Sequence, residues 1–343
     1  MQKYIQPGFF DLSDRYDQLS QSGDPLIKLN EIIDWNLFRP LLDKAFFRER
    51  KSEAGRKPYN RLLMFKILVL QSLYNLSDHQ VEFQIRDRLS FMRFLNLSLT
   101  DKIPDEKTLW SYREVLVKGR VIERLFVKFN RHLEKQGYGA RAGSLVDATL
   151  VEVPKQRNSR EENQAIKEGK MPESFKGNKN RERQKDTAAR WVIKGGKSYY
   201  GYKNHVNADV KHKLIQDYAV TSATVGDIHC LESLLFEDAK NEAKVWADGA
   251  YHSEKMEQVL KEKGYESRII RRYGIHHPFQ QRENSRRAKT RKRVEHVFGF
   301  MENSLGGKFI RTIGLARATM KIGMMNLVYN FCRYEQLCRI GVS

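Results

Sequence analysis

The 343-residue chain is long enough for two or three domains, and with 40% hydrophobic and 30% charged residues it has the composition of a globular protein. Its formal net charge of +20 favours an anionic partner, with nucleic acid ahead of a membrane surface. The longest apolar run, residues 62–70, is broken by Lys66 and is too short to cross a bilayer. Three cysteines without a CxxC pair exclude a disulfide framework, and the opening residues lack a signal-peptide pattern, so we expect a cytoplasmic protein.

The N-terminal part of the chain is predicted to be helical. Residues 61–75 are apolar nearly all round, as expected of a helix buried within a small bundle. Ser77 with Gln80 three residues later forms a capping box that starts the next helix. Short helices at this spacing fit either a helix-turn-helix-like DNA-binding module or a plain bundle used for packing or dimerisation. We therefore predict a helical domain over residues 1–137, with DNA-end binding or dimerisation as its role.

The remaining residues, 138–343, have the pattern of an α/β domain. The order is strand, hairpin pair, helix, strand, helix, strand and helix, which predicts a mixed five-stranded sheet flanked by helices. Residues 154–197 interrupt this order as a basic, polar excursion, and ten Lys or Arg residues fall within 154–185 alone. We interpret the excursion as a mobile segment that orders on a polyanion, or as an ordinary solvated loop.

Three acidic residues lie within or next to apolar segments, where a carboxylate is unusual. Asp147 lies inside the apolar, β-branched strand 144–153, where a lone charge is costly unless a cation compensates it. Asp248 ends a second apolar strand, and Glu295 lies on a helical pattern with an apolar face. Brought together, they would form an oxygen-only site suited to a hard divalent cation such as Mg²⁺. Rival acids lie near strand or helix ends or two turns beyond Glu295, with Asp227 read more simply as a helix cap: Asp209, Asp217, Asp227 and Glu302.

Basic residues accompany two of these stretches. The run 284–293 has six Lys or Arg residues, and it leads directly to Glu295. On a helix, Arg287 and Arg291 fall one turn apart on the face of Glu295, where they would contact DNA phosphates; alternatively, Arg291 pairs with Glu295. The candidate DNA-binding residues of this run and of the hairpin, where a surface role is an equal alternative, are Arg287, Arg291, Lys292, Arg293, Lys203 and His205.

Several spaced motifs resemble one family. They are LVDATLVE at 145–152, GYKNHVNAD at 201–209, WADGAY at 246–251, an RxxxE pair from Arg291 to Glu295, and a helical stretch at 55–78. In this order they resemble insertion-sequence transposases of the IS5 group, within the wider IS4-like DDE family. The resemblance covers residues 50–335.

The resemblance implies an RNase H-like catalytic domain with Asp147, Asp248 and Glu295 as the DDE triad. It also implies two Mg²⁺ ions, with Mn²⁺ able to substitute, cleavage of DNA at the terminal inverted repeats, and attack of the freed 3′-OH on target DNA. A homodimer or higher oligomer on DNA is expected, in the bacterial nucleoid. The wider family's pattern places Tyr and Lys where this chain has Ala288 and Glu302. Two other readings fit the basic charge: a non-catalytic DNA-binding protein, or a nuclease of the same fold without strand transfer.

Overall fold

The structure, a computed structural model, describes residue 8 and residues 10–47, 57–139, 143–236, 243–271 and 278–341. The chain divides into two compact units, Met1–Gly119 and Arg120–Ser343. None of the helices in these described ranges is both long and apolar enough to span a membrane.

The first unit is helical throughout its described residues, as predicted. Asn60 starts α4 by accepting hydrogen bonds from the backbone N–H groups of Leu62 (2.9 Å) and Leu63 (3.2 Å). The predicted capping box of Ser77 and Gln80 starts α5. The α-helices are α1 (Asp11–Gln21), α2 (Pro25–Ile32), α3 (Arg39–Ala45), α4 (Arg61–Leu73), α5 (Asp78–Asp87), α6 (Leu89–Leu95) and α7 (Glu106–Lys118).

The second unit is built on a mixed sheet with the order β2-β3-β1-β5-β6, and β4 pairs with β3. The strands are β1 (Ser144–Glu152), β2 (Arg190–Lys194), β3 (Lys197–Asp209), β4 (Ile215–Ser222), β5 (Lys244–Trp246) and β6 (Glu266–Ser267). β1 is antiparallel to β3 and parallel to β5. The sheet has six strands in place of the five predicted, because β2 forms a hairpin with β3 inside the stretch that we interpreted as irregular.

Eight α-helices belong to the described part of the second unit. They are α8 (Val121–Leu133), α9 (Arg160–Lys167), α10 (Lys179–Gln184), α11 (Ile228–Leu234), α12 (Glu254–Glu262), α13 (Pro278–Arg291), α14 (Val294–Ser304) and α15 (Leu315–Arg339). The rings of Phe129 on α8 and Phe331 on α15 meet edge-on at 4.8 Å, and Phe126 meets Tyr218 of β4 at 4.9 Å. The compact second unit therefore begins at Arg120 and includes α8, which packs on the sheet.

The basic excursion is folded over residues 154–185, contrary to the expectation of a mobile segment or a solvated loop. Ser159 and Glu162 form a capping box at the start of α9. The buried Glu162 also accepts hydrogen bonds from the Ser174 hydroxyl (2.6 Å) and the Arg181 guanidinium (2.8 Å). Phe175 is fully buried beside them. One buried aromatic ring and one shared carboxylate are enough to order a segment that composition alone marks as polar.

Candidate active site

Asp147 and Asp248 occupy equivalent places on neighbouring strands. Leu145 of β1 pairs with Trp246, the last residue of the parallel strand β5, so Asp147 lies two residues further along β1 and Asp248 two residues beyond the end of β5. Because side chains alternate between the two faces of a strand, Asp147 shares the face of Leu145. The parallel pairing therefore delivers two carboxylates to one end of the sheet, 101 residues apart in sequence.

Glu295 reaches this region through Arg291. One guanidinium nitrogen of Arg291 donates to Oδ2 of Asp147 at 2.6 Å, and the other donates to Oε1 of Glu295 at 3.3 Å. Arg291 is the last residue of α13 and Glu295 is in the first turn of α14, since the single helix predicted here is interrupted at residues 292–293. The side chain of Asp147 is 16% exposed and that of Glu295 is 57% exposed. Asp147 therefore lies at the inner end of this site and Glu295 at its solvent side.

The electrostatics of Asp147 show a carboxylate that is short of positive charge. Burial, with a smaller contribution from the negative charge of Asp248, raises the pKa of Asp147 to about 6. The backbone N–H of Ala148, Arg291 and Lys194 act in the opposite direction. Even with a guanidinium in contact, the site disfavours ionisation of this acid.

Tyr251 lies close to the same carboxylates. Its ring is fully buried and its hydroxyl has no hydrogen-bond partner among the described residues. Burial raises the pKa of Tyr251, and the negative charges of Asp147, Asp227 and Asp248 add to this effect. Negative charge is thus concentrated where solvent access is low, which is a setting that favours a bound cation.

The acids fit a hard cation in chemistry, although no three His, Cys, Asp or Glu side chains converge as a ready ligand set in the described ranges. Oxygen donors are what Mg²⁺ prefers, and Asp147 and Glu295 already share one cation, the guanidinium of Arg291. Asp248 turns its Oδ1 to the backbone N–H of Ala250 at 2.8 Å, which leaves its second oxygen for another partner.

The rival acids are held by other partners. Glu302 accepts a hydrogen bond from Thr149 (3.2 Å) and pairs with Lys308 (2.9 Å), so it lies on the Asp147 face but is engaged there. Asp227 is at the N-cap position of α11 without a side-chain cap bond, so the helix-cap interpretation is wrong; it pairs with Lys203 at 2.7 Å. Asp209 accepts a hydrogen bond from the backbone N–H of His212 in the turn after β3. Asp217 of β4 accepts one from the backbone N–H of the next residue, Tyr218.

Two hairpin residues considered for DNA binding lie on the wrong face. Asp147 is opposite Val206 and Ala148 is opposite His205, so Lys203 and His205 point to the face away from Asp147. His205 is fully buried, 2.8 Å from the Thr221 hydroxyl, and burial lowers its pKa to about 4. A fully buried imidazole is not accessible to a phosphate, so the structure does not support the DNA-binding role predicted for His205. Lys203 donates to Asp227 and to a backbone carbonyl.

The basic run divides into engaged and exposed residues. Arg287 donates to the backbone carbonyl of Ile269 at 2.8 Å, so it fixes α13 to the strand region instead of facing solvent. Lys292 and Arg293 are exposed at the break between α13 and α14, and Arg293 also donates to the backbone carbonyl of Val210 at 3.3 Å. The alternative that Arg291 pairs with Glu295 agrees with the structure, which adds the stronger contact to Asp147.

Sequence reasoning missed three residues of this site. Thr149 lies two residues after Asp147, so the alternation of β1 could have placed it on the same face. Lys194 acts on Asp147 from the end of β2, and Tyr251 approaches from the turn after β5. Tyr251 is the last residue of the WADGAY motif at 246–251 and so had a local signal, whereas Lys194 had none, because its effect on Asp147 depends on how the hairpin and β1 are arranged.

A helical N-terminal region, a mixed sheet flanked by helices and an acid pair at one end of parallel strands together define an RNase H-like transposase fold. Residues 138–331, more than half of the chain, match the Transposase DDE domain, and residues 14–115 match the transposase domain DUF772. The chain therefore belongs to the Transposase DDE domain family.

Among solved structures, the chain is similar to the piggyBac transposase synaptic complex with hairpin DNA, determined by cryo-electron microscopy. The TM-score is 0.48 at 12% sequence identity, and the match covers 93% of this chain and 76% of the other. At that level, the likeness adds nothing to the assignment made from the family match.

Proposed function

We propose that this chain is the transposase of an insertion sequence of the IS5 group, which binds terminal inverted repeats and performs DNA cleavage and strand transfer. Asp147, Asp248 and Glu295 are the catalytic acids in this proposal. The observation that carries it is the sharing of one guanidinium by Asp147 and Glu295 beside Asp248, although the three acids come from β1, the end of β5 and α14. Such convergence from distant segments suits a reaction centre better than a surface ion pair.

The proposed cofactor is a pair of Mg²⁺ ions, with Mn²⁺ able to substitute, held by Asp147, Asp248 and Glu295. When bound, such ions stabilise the entering and leaving oxygens of a phosphodiester displaced in line. The chain's own contribution is a partly buried carboxylate, Asp147, whose raised pKa shows that its negative charge needs a counterion. The acids also hold the negative charge of the site on rigid elements, two of them neighbouring parallel strands.

Arg291 has a second role in the proposal. Its guanidinium lies between Asp147 and Glu295, where a cation shared by the two acids would compete with it. A metal ion held by Asp147 and Glu295 would take the place of this guanidinium, and Arg291 would then be available to contact a DNA phosphate. The same residue therefore neutralises the acids in the free protein and supplies positive charge to the bound substrate.

Exposed basic residues beside the acids supply the non-specific part of DNA binding. Lys292 and Arg293 are placed at the break before α14, immediately ahead of Glu295. Arg287 and Lys203 hold protein groups and act on DNA only indirectly. Transposition joins two element ends, so the proposal includes a homodimer or higher oligomer on DNA of the bacterial nucleoid.

The test is incubation of the protein with Mg²⁺, a duplex that carries the flanking terminal repeats, and a target plasmid. Joined products, absent in EDTA, are the expected result. Cut but unjoined DNA would instead assign a hydrolytic nuclease of the same fold. Specific binding without any cut strand, in Mg²⁺ and in Mn²⁺, would assign a non-catalytic DNA-binding protein.

A further inference from the structure

The hairpin of β2 and β3 carries two large apolar side chains in solvent. Trp191 is 44% exposed and Ile193 is 75% exposed. The hairpin is closed by Gly195 and Gly196, whose φ angles of 57° and 74° suit a two-residue turn that other residues rarely form. A tight turn of this kind holds the strands in one register, so the exposed side chains have a fixed position.

The register places these side chains on the face of the sheet that carries Asp147. Asp147 is opposite Val206 of β3, and every second residue of β3 shares that face. Two members of the series are opposite the exposed residues of β2: Tyr200 pairs with Trp191, and Ser198 pairs with Ile193. The ring centroids of Trp191 and Tyr200 are 5.1 Å apart, so the indole packs against the Tyr200 ring.

The surroundings of Trp191 are positively charged. Residues 187–208 contain four Lys or Arg residues and no Asp or Glu. The ammonium group of Lys155 is 5.7 Å from the Trp191 ring. The exposed Lys194 and Lys197 are opposite each other at the turn, on the side of the hairpin away from Trp191 and Ile193. The charge of Lys194 also acts on Asp147, which connects the tip of the hairpin with the acids.

We propose that the β2–β3 hairpin contacts the DNA substrate, with Trp191 stacked on an unpaired base and Lys194 and Lys197 on the neighbouring phosphates. This inference rests on the proposed function and adds a substrate-positioning element to the same site. An exposed aromatic face among lysines is the chemistry that binds single-stranded nucleic acid. Bases within a duplex cover one another's faces, so the indole can stack only where a strand end is unpaired.

The acids and the hairpin share one face, so a strand end held at Trp191 is positioned near Asp147. The hairpin then acts on substrate binding and on the placement of the scissile phosphate. It does not take part in the chemical step, and Trp191 is a positioning residue.

The test compares DNA binding by the wild type, W191F, W191A and the double variant K194A/K197A, in EDTA so that no strand is cut. Each protein is titrated with a blunt duplex and with the same duplex carrying a short unpaired 3′ tail. F236A serves as control, because Phe236 is an aromatic residue of the same unit that is 50% exposed. Binding is measured by anisotropy of a labelled duplex and by quenching of tryptophan emission.

Wild-type protein is expected to prefer the tailed duplex, with quenched emission. W191A should lose roughly ten-fold or more of its affinity for the tailed duplex and little for the blunt one, because stacking on a base is removed. W191F should keep most of this preference while losing the quenching signal of the indole. K194A/K197A should flatten the salt dependence of binding by about one to two in log–log slope.

Equal affinities of W191A, F236A and wild type for the tailed duplex would overturn the inference while leaving the proposed function intact. A changed oligomeric state of W191A with unchanged DNA binding would also overturn it, by assigning the surface to a contact between copies. Failure of the wild type to bind either duplex would count against the proposed function itself. If W191A is unfolded by circular dichroism, W191F and the lysine variants still decide the outcome.

Discussion

At Asp147, burial and the charge of Asp248 oppose ionisation, whereas the backbone N–H of Ala148, Arg291 and Lys194 favour it. Replacing either aspartate by Asn removes the charge and keeps the shape. Asp147→Asn or Asp248→Asn should therefore abolish cleavage while DNA binding stays equal or becomes slightly stronger, since a negative charge near phosphate is lost. Cleavage of a labelled terminal-repeat duplex, and fluorescence anisotropy on the same duplex, measure the cleavage and the binding.

Glu302→Gln is the control for the aspartate variants. If cleavage is lost in Glu302→Gln but kept in the aspartate variants, the catalytic acid is Glu302.

Arg291 provides a second prediction at the residue scale. Arg291→Ala leaves Asp147 without its cationic partner, so in EDTA the free energy of unfolding should fall by about 1–3 kcal/mol. Mg²⁺ should restore more stability to this variant than to wild type, because the acids no longer exchange a guanidinium for the metal. Urea unfolding with and without Mg²⁺ measures the difference.

Arg286→Ala is the matched control, since Arg286 is an exposed residue of α13 that pairs with Glu283. Arg286→Ala should leave the free energy of unfolding in EDTA and the stabilisation by Mg²⁺ unchanged. Equal Mg²⁺ stabilisation of Arg291→Ala and wild type would show that the guanidinium does not occupy the cation's place.

At the scale of elements, α13 presents its positive charges unevenly. Arg287 and Arg291 face protein groups, whereas Lys289 of α13 and Lys292, the residue that follows the helix, are exposed. Replacing Lys289 and Lys292 by Ala should flatten the log–log salt dependence of duplex binding by roughly one to two units, whatever the sequence. Arg287→Ala should leave that slope unchanged and lower stability instead. Binding isotherms at several salt concentrations test both statements.

The control for the salt experiment is the double variant K255A/K261A, which removes two exposed lysines of α12. If K255A/K261A flattens the slope as much as the replacement of Lys289 and Lys292 does, then the basic run contacts DNA no more than other exposed lysines do. A flatter slope for Arg287→Ala would restore the phosphate role that the sequence suggested for this residue.

The comparison of sequence and structure also belongs to the scale of elements. The Asp147 strand, the Ser77 capping box and the Asp248 turn follow from residues close in sequence, and all three are present in the fold. β2 was missed although its signal is local, because Gly195 and Gly196 form a two-residue turn that joins it to β3, and the polar composition of the excursion was given more weight. The excursion was misjudged because Phe175, a single buried ring, outweighs many polar neighbours.

The sequence indicated which acids belong to the candidate site, but it did not indicate the contacts that these acids make. Acids inside or at the ends of apolar strands are costly, so their types and positions point to a function from sequence alone. The contact of Arg291 with Asp147 joins residues 144 positions apart and depends on how α13 crosses the sheet. The burial of His205 depends likewise on which face of β3 is covered, and a pattern of alternation does not state which face that is.

At the scale of the whole molecule, buried ionisable groups of opposite type set the dependence of stability on pH. Burial lowers the pKa of His205 to about 4, so between about 6.5 and 4 the unfolded chain binds a proton that the folded chain does not. Stability from this group is lost as pH falls through that range. Burial raises the pKa of Asp147 and of Asp217 to about 6, so between about 6 and 4 the folded chain binds the extra protons and stability is gained. The opposed signs partly cancel, and because two acids oppose one histidine, these three groups together leave a net gain of stability as pH falls from about 6 to about 4.

Asp217→Asn separates these contributions. Asn keeps an oxygen for the backbone N–H of Tyr218 and removes a charge that burial disfavours. The variant should be more stable than wild type by about 1–3 kcal/mol at pH 8, because the cost of ionising a half-buried acid is absent, and the difference should vanish near pH 4. Urea unfolding at pH 8, 6 and 4 measures it, with Glu232→Gln, an exposed acid of α11, as control. A stability difference that is constant over this pH range would show that Asp217 ionises in the folded protein as readily as in the unfolded chain, and the compensation between His205 and the buried acids would then rest on Asp147 alone.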